Sequence, residues 1–390
     1  MTTTYSISDR MSEIAPFRVM EVVERARQLE AEGRSIIHME IGQPDFGAPR
    51  QVVDAAVRAL QTLPLGYTTT PGIPELRDAI SGWYSQRFGV NVPRERIAVT
   101  VGASGAFLAA LGAMVNPGDE VLMADPCYPC NRHFVRMFEG KARLIPVDDR
   151  QGYQPSAADI ARHWSPATRG VLIASPSNPT GTSIDRTALQ AIHSYAKARG
   201  AYLLVDEIYQ GLSYTDDAYT ALELSDDVIV INSFSKYFCM TGWRLGWIIA
   251  PAALMRQVEK LAQSMVICPP APAQFGALAC FEPETIATLE DRRQEFRRRR
   301  DFLVPALKSL GFKVPVTPDG AFYVYADCSS FSSDSSNFAA QLLESAGVAT
   351  APGCDFGDYR ASEHIRFAYT RSMQELELGV SRLQKFLRAG

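Results

Sequence analysis

The sequence predicts an α/β protein in which a sheet of buried strands lies between helices. Between about residues 96 and 250, seven short apolar segments alternate with helical patterns, which is the order of elements in an open α/β sheet. The segments are apolar throughout, as strands covered by helices on both faces are. A helix from Arg186 to Arg199 is one of the predicted covering helices. The seven predicted strands are RIAVTV, EVLMAD, ARLIPV, GVLIAS, AYLLVD, DVIVIN and LGWIIA.

The two ends of the chain have a different pattern, which predicts a second, smaller α+β domain. Residues 16–32 predict a helix that ends at Gly33, and a long charged helix begins near residue 285; its basic run from Arg292 to Arg300 is expected to be a solvated helix face. After it, FKVPV and AFYVYADC predict strands, the serine-rich CSSFSSDSSN predicts a loop with a helix start, and a final helix is predicted near Gln374 to Leu387. A chain of 390 residues is expected to form two domains rather than one.

The composition favours small, neutral partners. Lysine and arginine together number 39 against 43 acidic residues, so the chain has no excess of positive charge for nucleic acid or an anionic membrane. The opening residues lack the order of a signal peptide, and no apolar run approaches the roughly 20 residues that cross a bilayer, so a cytoplasmic protein is expected. The seven cysteines are expected to be reduced, and the spacing of Cys127 and Cys130 has no second pair that would indicate zinc.

Polar segments follow the predicted strands at the edge of the sheet where α/β proteins bind their ligands. GASG follows the first strand, DPCY the second and SPSNPTG the fourth; DEIY begins in the fifth and SFSK follows the sixth. Because the carboxyl ends of parallel strands meet at one edge, these segments are expected to line one pocket.

Lys236 lies in SFSKYFCMTGWRLGW, residues 233–247, a segment rich in aromatic residues. Apolar surroundings favour the neutral amine, which is a nucleophile toward carbonyls, so the segment predicts a covalent bond to an aldehyde. Taken alone, Lys236 would more often be an exposed loop lysine. An aldehyde cofactor with a phosphate and a pyridine ring also needs an anion cradle, an acid for the ring nitrogen, a donor for the ring oxygen and a surface for the ring face.

The anion cradle has candidates at two strand ends. The small residues 102–105, GASG, open a helix whose free N–H groups can hold a phosphate. Ser233, Ser235 and Arg244 can complete the cradle with two hydroxyls and a positive charge. Helix capping and a surface ion pair are the ordinary alternatives for these residues.

The other requirements also have candidates. Asp206 ends AYLLVD, where a buried carboxylate needs a cationic partner such as a pyridinium N–H. Tyr209 or Asn178 can donate to the ring oxygen, and Tyr128 can lie against the ring face. As single residues, the tyrosines fit packing and Asn178 fits a turn equally well.

Together these motifs closely resemble the class I and II aminotransferases, which are pyridoxal 5′-phosphate (PLP) enzymes of fold type I. The resemblance implies a mostly parallel seven-stranded sheet between helices in a large domain of residues 49–284. It also implies an N-terminal arm of residues 1–15 and a smaller α+β domain of residues 16–48 and 285–390. The likeness runs along nearly the whole chain, in IGQPDF at 41, YTTTPGIPELR at 67, SPSNPTG at 175, DEIY at 206, SFSKYFCMTGWRLGW at 233, PDGAFY at 318 and IRFAYT at 365.

The resemblance implies a role for each candidate. Lys236 would bind the cofactor covalently, Asp206 would pair with the pyridine nitrogen, and Tyr209 and Asn178 would bond the ring oxygen. Tyr128 would stack on the ring. The phosphate would be held at the positions of Ala103, Ser104, Ser233, Ser235 and Arg244.

For the substrate, the resemblance implies that Arg366 grips the α-carboxylate through its planar guanidinium, with Asn178 and the backbone of Gly42 beside it. It also implies a homodimer in which Tyr67 reaches the phosphate of the neighbouring subunit. The implied activity is transfer of an amino group from an amino acid to a 2-oxo acid with ping-pong kinetics, in which Lys236 acts as acid and base.

The side chain of the amino donor is predicted to be neutral or apolar, as in alanine, methionine or an aromatic amino acid, with 2-oxoglutarate or pyruvate as acceptor. Ser104 stands where one aspartate-specific subgroup has a lysine, and Phe17 and Val19 lie near the expected entrance. Two alternatives keep the cofactor. One is a β-lyase or synthase of the same fold, and the other is a PLP-binding regulator, whose additional DNA-binding domain is not expected here.

Overall fold

A seven-stranded sheet is the central feature of the computed structural model, which describes residues 5–389. The chain forms twelve strands in three sheets within that range. They are β1 (Ile37–His38), β2 (Ile97–Thr100), β3 (Glu120–Asp125), β4 (Lys141–Pro146), β5 (Thr168–Ala174), β6 (Tyr202–Asp206), β7 (Ile229–Ser233), β8 (Gly246–Ile249), β9 (Tyr323–Asp327), β10 (Val348–Ala349), β11 (Ala351–Pro352) and β12 (His364–Ala368).

The strand order of the large sheet is β2-β8-β7-β6-β5-β3-β4, and β8 alone runs against the others. Each of the seven predicted strands forms, so the mostly parallel α/β sheet is confirmed. One expectation is wrong: β4 is not buried on both faces. It lies at the edge of the sheet, where Lys141 and Arg143 reach solvent.

Helices cover the large sheet on both faces. One is α7, the predicted amphipathic helix, whose N-terminus is capped by the side chain of Asp185 on the backbone N–H groups of Thr187 and Ala188. The helices are α1 (Arg18–Ala31), α2 (Arg50–Thr62), α3 (Pro74–Phe88), α4 (Gly102–Met114), α5 (Pro129–Met137), α6 (Ala157–His163), α7 (Arg186–Lys197), α8 (Ala252–Val266), α9 (Ala271–Leu278), α10 (Pro283–Ser309), α11 (Ser335–Gln341) and α12 (Met373–Ala389).

The two ends of the chain meet in two small sheets. β1 pairs in parallel with β10, placing Ile37 opposite Val348, and β12 lies between β11 and β9 in an antiparallel sheet. The division into residues 16–48 with 285–390, and 49–284, stays a prediction. Residues 1–4 of the predicted arm lie outside the described range. In the rest of the arm, the guanidinium of Arg10 donates to the carbonyl of Met137 at 3.0 Å, at the end of α5.

Two expectations for the C-terminal part are corrected. FKVPV does not form a strand; it makes one isolated bridge, between Lys313 and Asp327, because Pro315 has no N–H to extend the ladder. The basic run from Arg292 to Arg300 is only partly a solvated helix face. Arg299 is buried and forms ion pairs with Asp45 at 2.8 Å and with its own helix.

Two further expectations concern the cysteines and the membrane. The seven cysteines are free thiols, as expected, and Cys127 is buried. Across residues 5–389, no helix combines the length and the apolar character that crossing a membrane requires.

Candidate active site

A cavity of about 270 Å³ opens at the carboxyl ends of the parallel strands. All but one of the predicted site residues line it. The exception is Tyr67, whose side chain is 83 % exposed on the surface. The predicted residues that line the cavity are Phe17, Val19, Gly42, Ala103, Ser104, Tyr128, Asn178, Asp206, Tyr209, Ser233, Ser235, Lys236, Arg244 and Arg366.

Lys236 lies in the turn between β7 and β8 and points into the cavity. Its Nζ donates a hydrogen bond to the carbonyl of Gly42 at 2.6 Å. Burial lowers the pKa of this amine from 10.5 to about 8, helped by the positive charges of Arg366 and Arg244. A substantial fraction of the amine is therefore neutral near pH 8, and in that form it can attack a carbonyl.

Asp206 is the last residue of β6 and also lines the cavity, where only 4 % of its surface is exposed. Its Oδ1 accepts the backbone N–H of Ile208 at 3.2 Å. Burial raises the pKa of this carboxyl from 3.8 to about 6, so it is charged at neutral pH at an energetic cost. A buried anion without an ion-pair partner among the described residues fits a cationic N–H donor in the cavity.

The start of α4 and Arg244 form a cradle for an anion. Gly102 has a φ of +66°, which favours glycine, and a Cβ there would lie 2.7 Å from Nη2 of Arg244, so the absence of a side chain lets the guanidinium approach closely. The cradle also contains the first helical N–H groups, at Ala103 and Ser104, and the hydroxyls of Ser233 and Ser235, whose oxygens lie 3.0 Å apart. This donor set fits a phosphate.

Arg366, on β12, is buried with 4 % of its surface exposed. Its Nη1 donates to Oδ1 of Asn178 at 2.8 Å, and its Nη2 donates to the backbone carbonyl of Glu40. Its Nε has no partner among the described residues, and the rings of Tyr323 and Phe356 lie 4.3 and 4.8 Å from the guanidinium carbon. A buried cation held only by neutral groups fits an incoming carboxylate.

Tyr323 was missed by sequence reasoning, although it is the last residue of the PDGAFY segment. Its hydroxyl lies 2.7 Å from that of Tyr209, which couples the predicted ring-oxygen donor to the wall beside Arg366. A Cβ at Gly42 would overlap the Tyr323 hydroxyl, so glycine lets these two segments meet. The signal was present in the sequence, but an aromatic residue in a strand fits core packing equally well.

Asn131, on α5, was also missed, because nothing in the sequence separates it from an ordinary helix residue. It is fully buried, and its amide lowers the pKa of Asp206. Neither of its amide atoms has a hydrogen-bond partner within the described residues. Other lining residues absent from the sequence prediction are Met20, Glu40, Ile41, Phe107, Phe134, Ala174, Pro176, Ile208 and Thr241.

The chain is similar to known proteins over nearly its full length. A family model described as "Aminotransferase class I and II" matches residues 34–383. The chain is 40 % identical over 376 residues to a valine–pyruvate aminotransferase of Mycobacterium tuberculosis, covering 96 % of this chain and 97 % of that protein. It is 35 % identical over 384 residues to a (5-formylfuran-3-yl)methyl phosphate transaminase of Methanocaldococcus jannaschii, covering 98 % and 99 %. A solved aminotransferase structure from Mycobacterium tuberculosis has a TM-score of 0.96 at 38 % identity, covering 99 % and 100 %.

Proposed function

The chain belongs to the class I and II aminotransferases, and from that premise we propose that it transfers the amino group of a neutral or apolar amino acid to a 2-oxo acid by a ping-pong mechanism. It is a transaminase that uses pyridoxal 5′-phosphate. The observation that carries the proposal is that Lys236, Asp206 and Arg366 line one cavity, where each lacks the partner that the substrate or cofactor would supply.

The residues present fit the cofactor. The cradle at the start of α4, with Arg244, would hold the phosphate, and Asp206 would hold a proton on the ring nitrogen. Tyr209 would donate to the ring oxygen, and Tyr128 would cover the ring face. When bound, the cofactor supplies an electron sink for the carbanion formed at the substrate Cα.

The chain's own residues handle the substrate. Arg366 binds the α-carboxylate through two parallel hydrogen bonds, and Asn178, which already accepts from Nη1, fixes the plane of the guanidinium. With the carboxylate oriented in this way, Nζ of Lys236 accepts the proton that leaves Cα. Because the pKa of that amine is lowered to about 8, part of it is neutral near neutral pH and can accept a proton.

The lining of the cavity supports a neutral donor. Its cations in the described part of the chain are Lys236, Arg244 and Arg366, and each already has a proposed role, so none remains for a second substrate carboxylate. The side of the cavity toward α1 carries Phe17 and Val19. The relative in Mycobacterium tuberculosis is named for valine and pyruvate, which supports the same donor class and pyruvate as acceptor.

A screen of amino acids against the PLP-loaded protein tests the proposal. Valine, alanine, methionine and phenylalanine are expected to bleach the cofactor's visible absorbance, and pyruvate or 2-oxoglutarate is expected to restore it. Aspartate is expected to react at least about tenfold more slowly, because a second carboxylate would be buried without a partner. A preference for aspartate would contradict the neutral-donor proposal.

A second assay, of ammonia and pyruvate release, separates transfer from the β-lyase alternative. A lyase would release ammonia and pyruvate from a cysteine conjugate with no oxo acid added. An aminotransferase is expected to stop after one turnover under those conditions, because its cofactor stays in the aminated form. Continuous ammonia release without an acceptor would favour the lyase or synthase.

A homodimer is part of the proposal. Tyr67 is exposed in the single chain, and the nearby helix α2 carries a row of exposed apolar residues, Val53, Val57 and Leu60, at helical spacing. A second copy covering this face would bury that row and would bring Tyr67 to the partner's phosphate cradle. A cytoplasmic location likewise stays a prediction.

Leu60→Asp and Tyr67→Phe test this arrangement. The wild-type protein and Tyr67→Phe are expected to sediment as dimers, and Leu60→Asp as a monomer. Loss of the Tyr67 hydroxyl is expected to raise the Kd for PLP about tenfold, the effect of losing one hydrogen bond to a charged group. Tyr195→Phe, on α7, is the control and should bind PLP normally. A Leu60→Asp monomer with wild-type PLP affinity would contradict the shared site.

A further inference from the structure

A carboxylate from the C-terminal part of the chain holds the start of α1. Phe17 stands at the N-cap of this helix, where a side-chain oxygen commonly accepts the free N–H groups, but phenylalanine has no acceptor. Asp355 takes that role from a distant part of the sequence. Its Oδ1 accepts the N–H of Arg18 at 3.0 Å and its Oδ2 accepts the N–H of Val19 at 3.2 Å.

The residues on either side of this cap form part of the cavity wall. Phe17 and Val19 both line the cavity, on either side of the first capped N–H group. The Phe17 ring packs against the N-cap residue of α5 and a residue in the middle of that helix: its centroid is 6.1 Å from that of Tyr128 and 6.4 Å from that of His133. The cap and the ring contacts therefore fix the same short segment from two sides.

The loop that carries Asp355 is itself anchored to the large sheet. The side chain of Asp125, at the end of β3, accepts the backbone N–H groups of Asp358 and Tyr359 at 3.2 and 3.1 Å. Arg132, on α5, donates to the backbone carbonyl of Asp355 at 3.0 Å. The neighbouring residue, Phe356, packs its ring against the guanidinium of Arg366. Asp355 therefore links the Phe17 segment to the carboxylate-binding arginine.

We propose that Asp355 is a positioning residue that holds the Phe17 segment closed over the side chain of the amino donor and so determines which donors are used. The inference rests on the proposed function. A donor with a long apolar side chain gains from contact with the Phe17 wall, whereas alanine, with one methyl group, depends on it least. Loss of the cap is therefore expected to lower kcat/KM for methionine and phenylalanine more than for alanine.

Asp355→Ala, Asp355→Asn and Asp358→Asn test the proposal in the PLP-loaded enzyme. Asp355→Ala is expected to lower kcat/KM for methionine about tenfold, mainly through KM, and that for alanine less than threefold. Asp355→Asn keeps one acceptor oxygen and should fall between Asp355→Ala and the wild type. Asp358→Asn removes the same charge from an exposed position in the same loop and should match the wild type. Equal losses for both donors would overturn the specificity role.

Limited trypsin digestion gives a readout that does not require catalysis. Arg18 is exposed, and the bond after it lies in the capped turn, so its cleavage reports how often that turn opens. Cleavage after Arg18 is expected to be about tenfold faster in Asp355→Ala than in Asp358→Asn. Unchanged cleavage would overturn the proposed role of Asp355 as the cap.

If Asp355→Ala fails to fold by circular dichroism, the same measurements on Asp355→Asn decide the question. If no neutral donor reacts but cleavage accelerates, the donor assignment fails and the cap stands.

Discussion

Replacing Lys236 with alanine is expected to lower kcat by on the order of 10⁴-fold, because the substitution removes the residue proposed both to accept the Cα proton and to bind the cofactor. The amine is held in place by its hydrogen bond to Gly42, and its pKa is lowered by burial and by two nearby arginines. Affinity for the substrate carboxylate should survive, since Arg366 is untouched.

Borohydride reduction followed by peptide mapping measures the covalent part of this prediction. In the wild-type protein the reduced cofactor is expected on the peptide that contains Lys236, and in Lys236→Ala it should be absent. Lys260→Ala is the control, because Lys260 lies exposed on α8. Cofactor trapped on another amine of the wild-type protein would contradict the assignment of Lys236.

Replacing Asp206 with asparagine is expected to lower kcat by on the order of 10²–10³-fold, because a neutral amide cannot keep the ring nitrogen protonated. The same substitution should stabilise the cofactor-free protein. The folded-state pKa of Asp206 is raised from 3.8 to about 6. Between those values the unfolded state has released its proton while the folded state retains it, so stability falls as the pH rises. Above about pH 6 the full cost of the buried charge is present.

Thermal unfolding of the cofactor-free proteins measures the stability part. At pH 7.5, Asp206→Asn is expected to be about 2–3 kcal/mol more stable than the wild type, the size that a shift of this magnitude implies. The advantage should shrink near pH 4. Asp217→Asn, at an exposed position, is the control and should show neither effect. A variant that loses activity and is less stable at both pH values would contradict the account of Asp206.

The large sheet was predictable because its signal is local. Each strand is a short apolar segment between helices, and the polar residues that follow the strands mark the ligand edge, so Asp206 and Lys236 could be placed in one pocket. The exposed edge of β4 could not be predicted, since edge position depends on strand order, which the pattern of a single strand does not contain.

The remaining parts of the site depend on contacts between distant segments. The pairing of β1 with β10 joins residues that no periodicity connects. Tyr323 and Asn131 look like core residues until the fold places one beside Tyr209 and the other near Asp206. Asp355 is a single acidic residue in a loop, and only the folded chain shows that it caps a helix that begins at Arg18.

The pairing of the two chain ends in the small sheets affects the order in which parts of the site can form during synthesis. The cradle and Lys236 lie in segments that leave the ribosome well before β12, which carries Arg366, the residue proposed to bind the substrate carboxylate. Because chains are made from the N-terminus, a nascent polypeptide can form the cradle and the turn that carries Lys236 while β12, with Arg366, is still missing. Folding of the cradle therefore does not have to wait for the synthesis of β12.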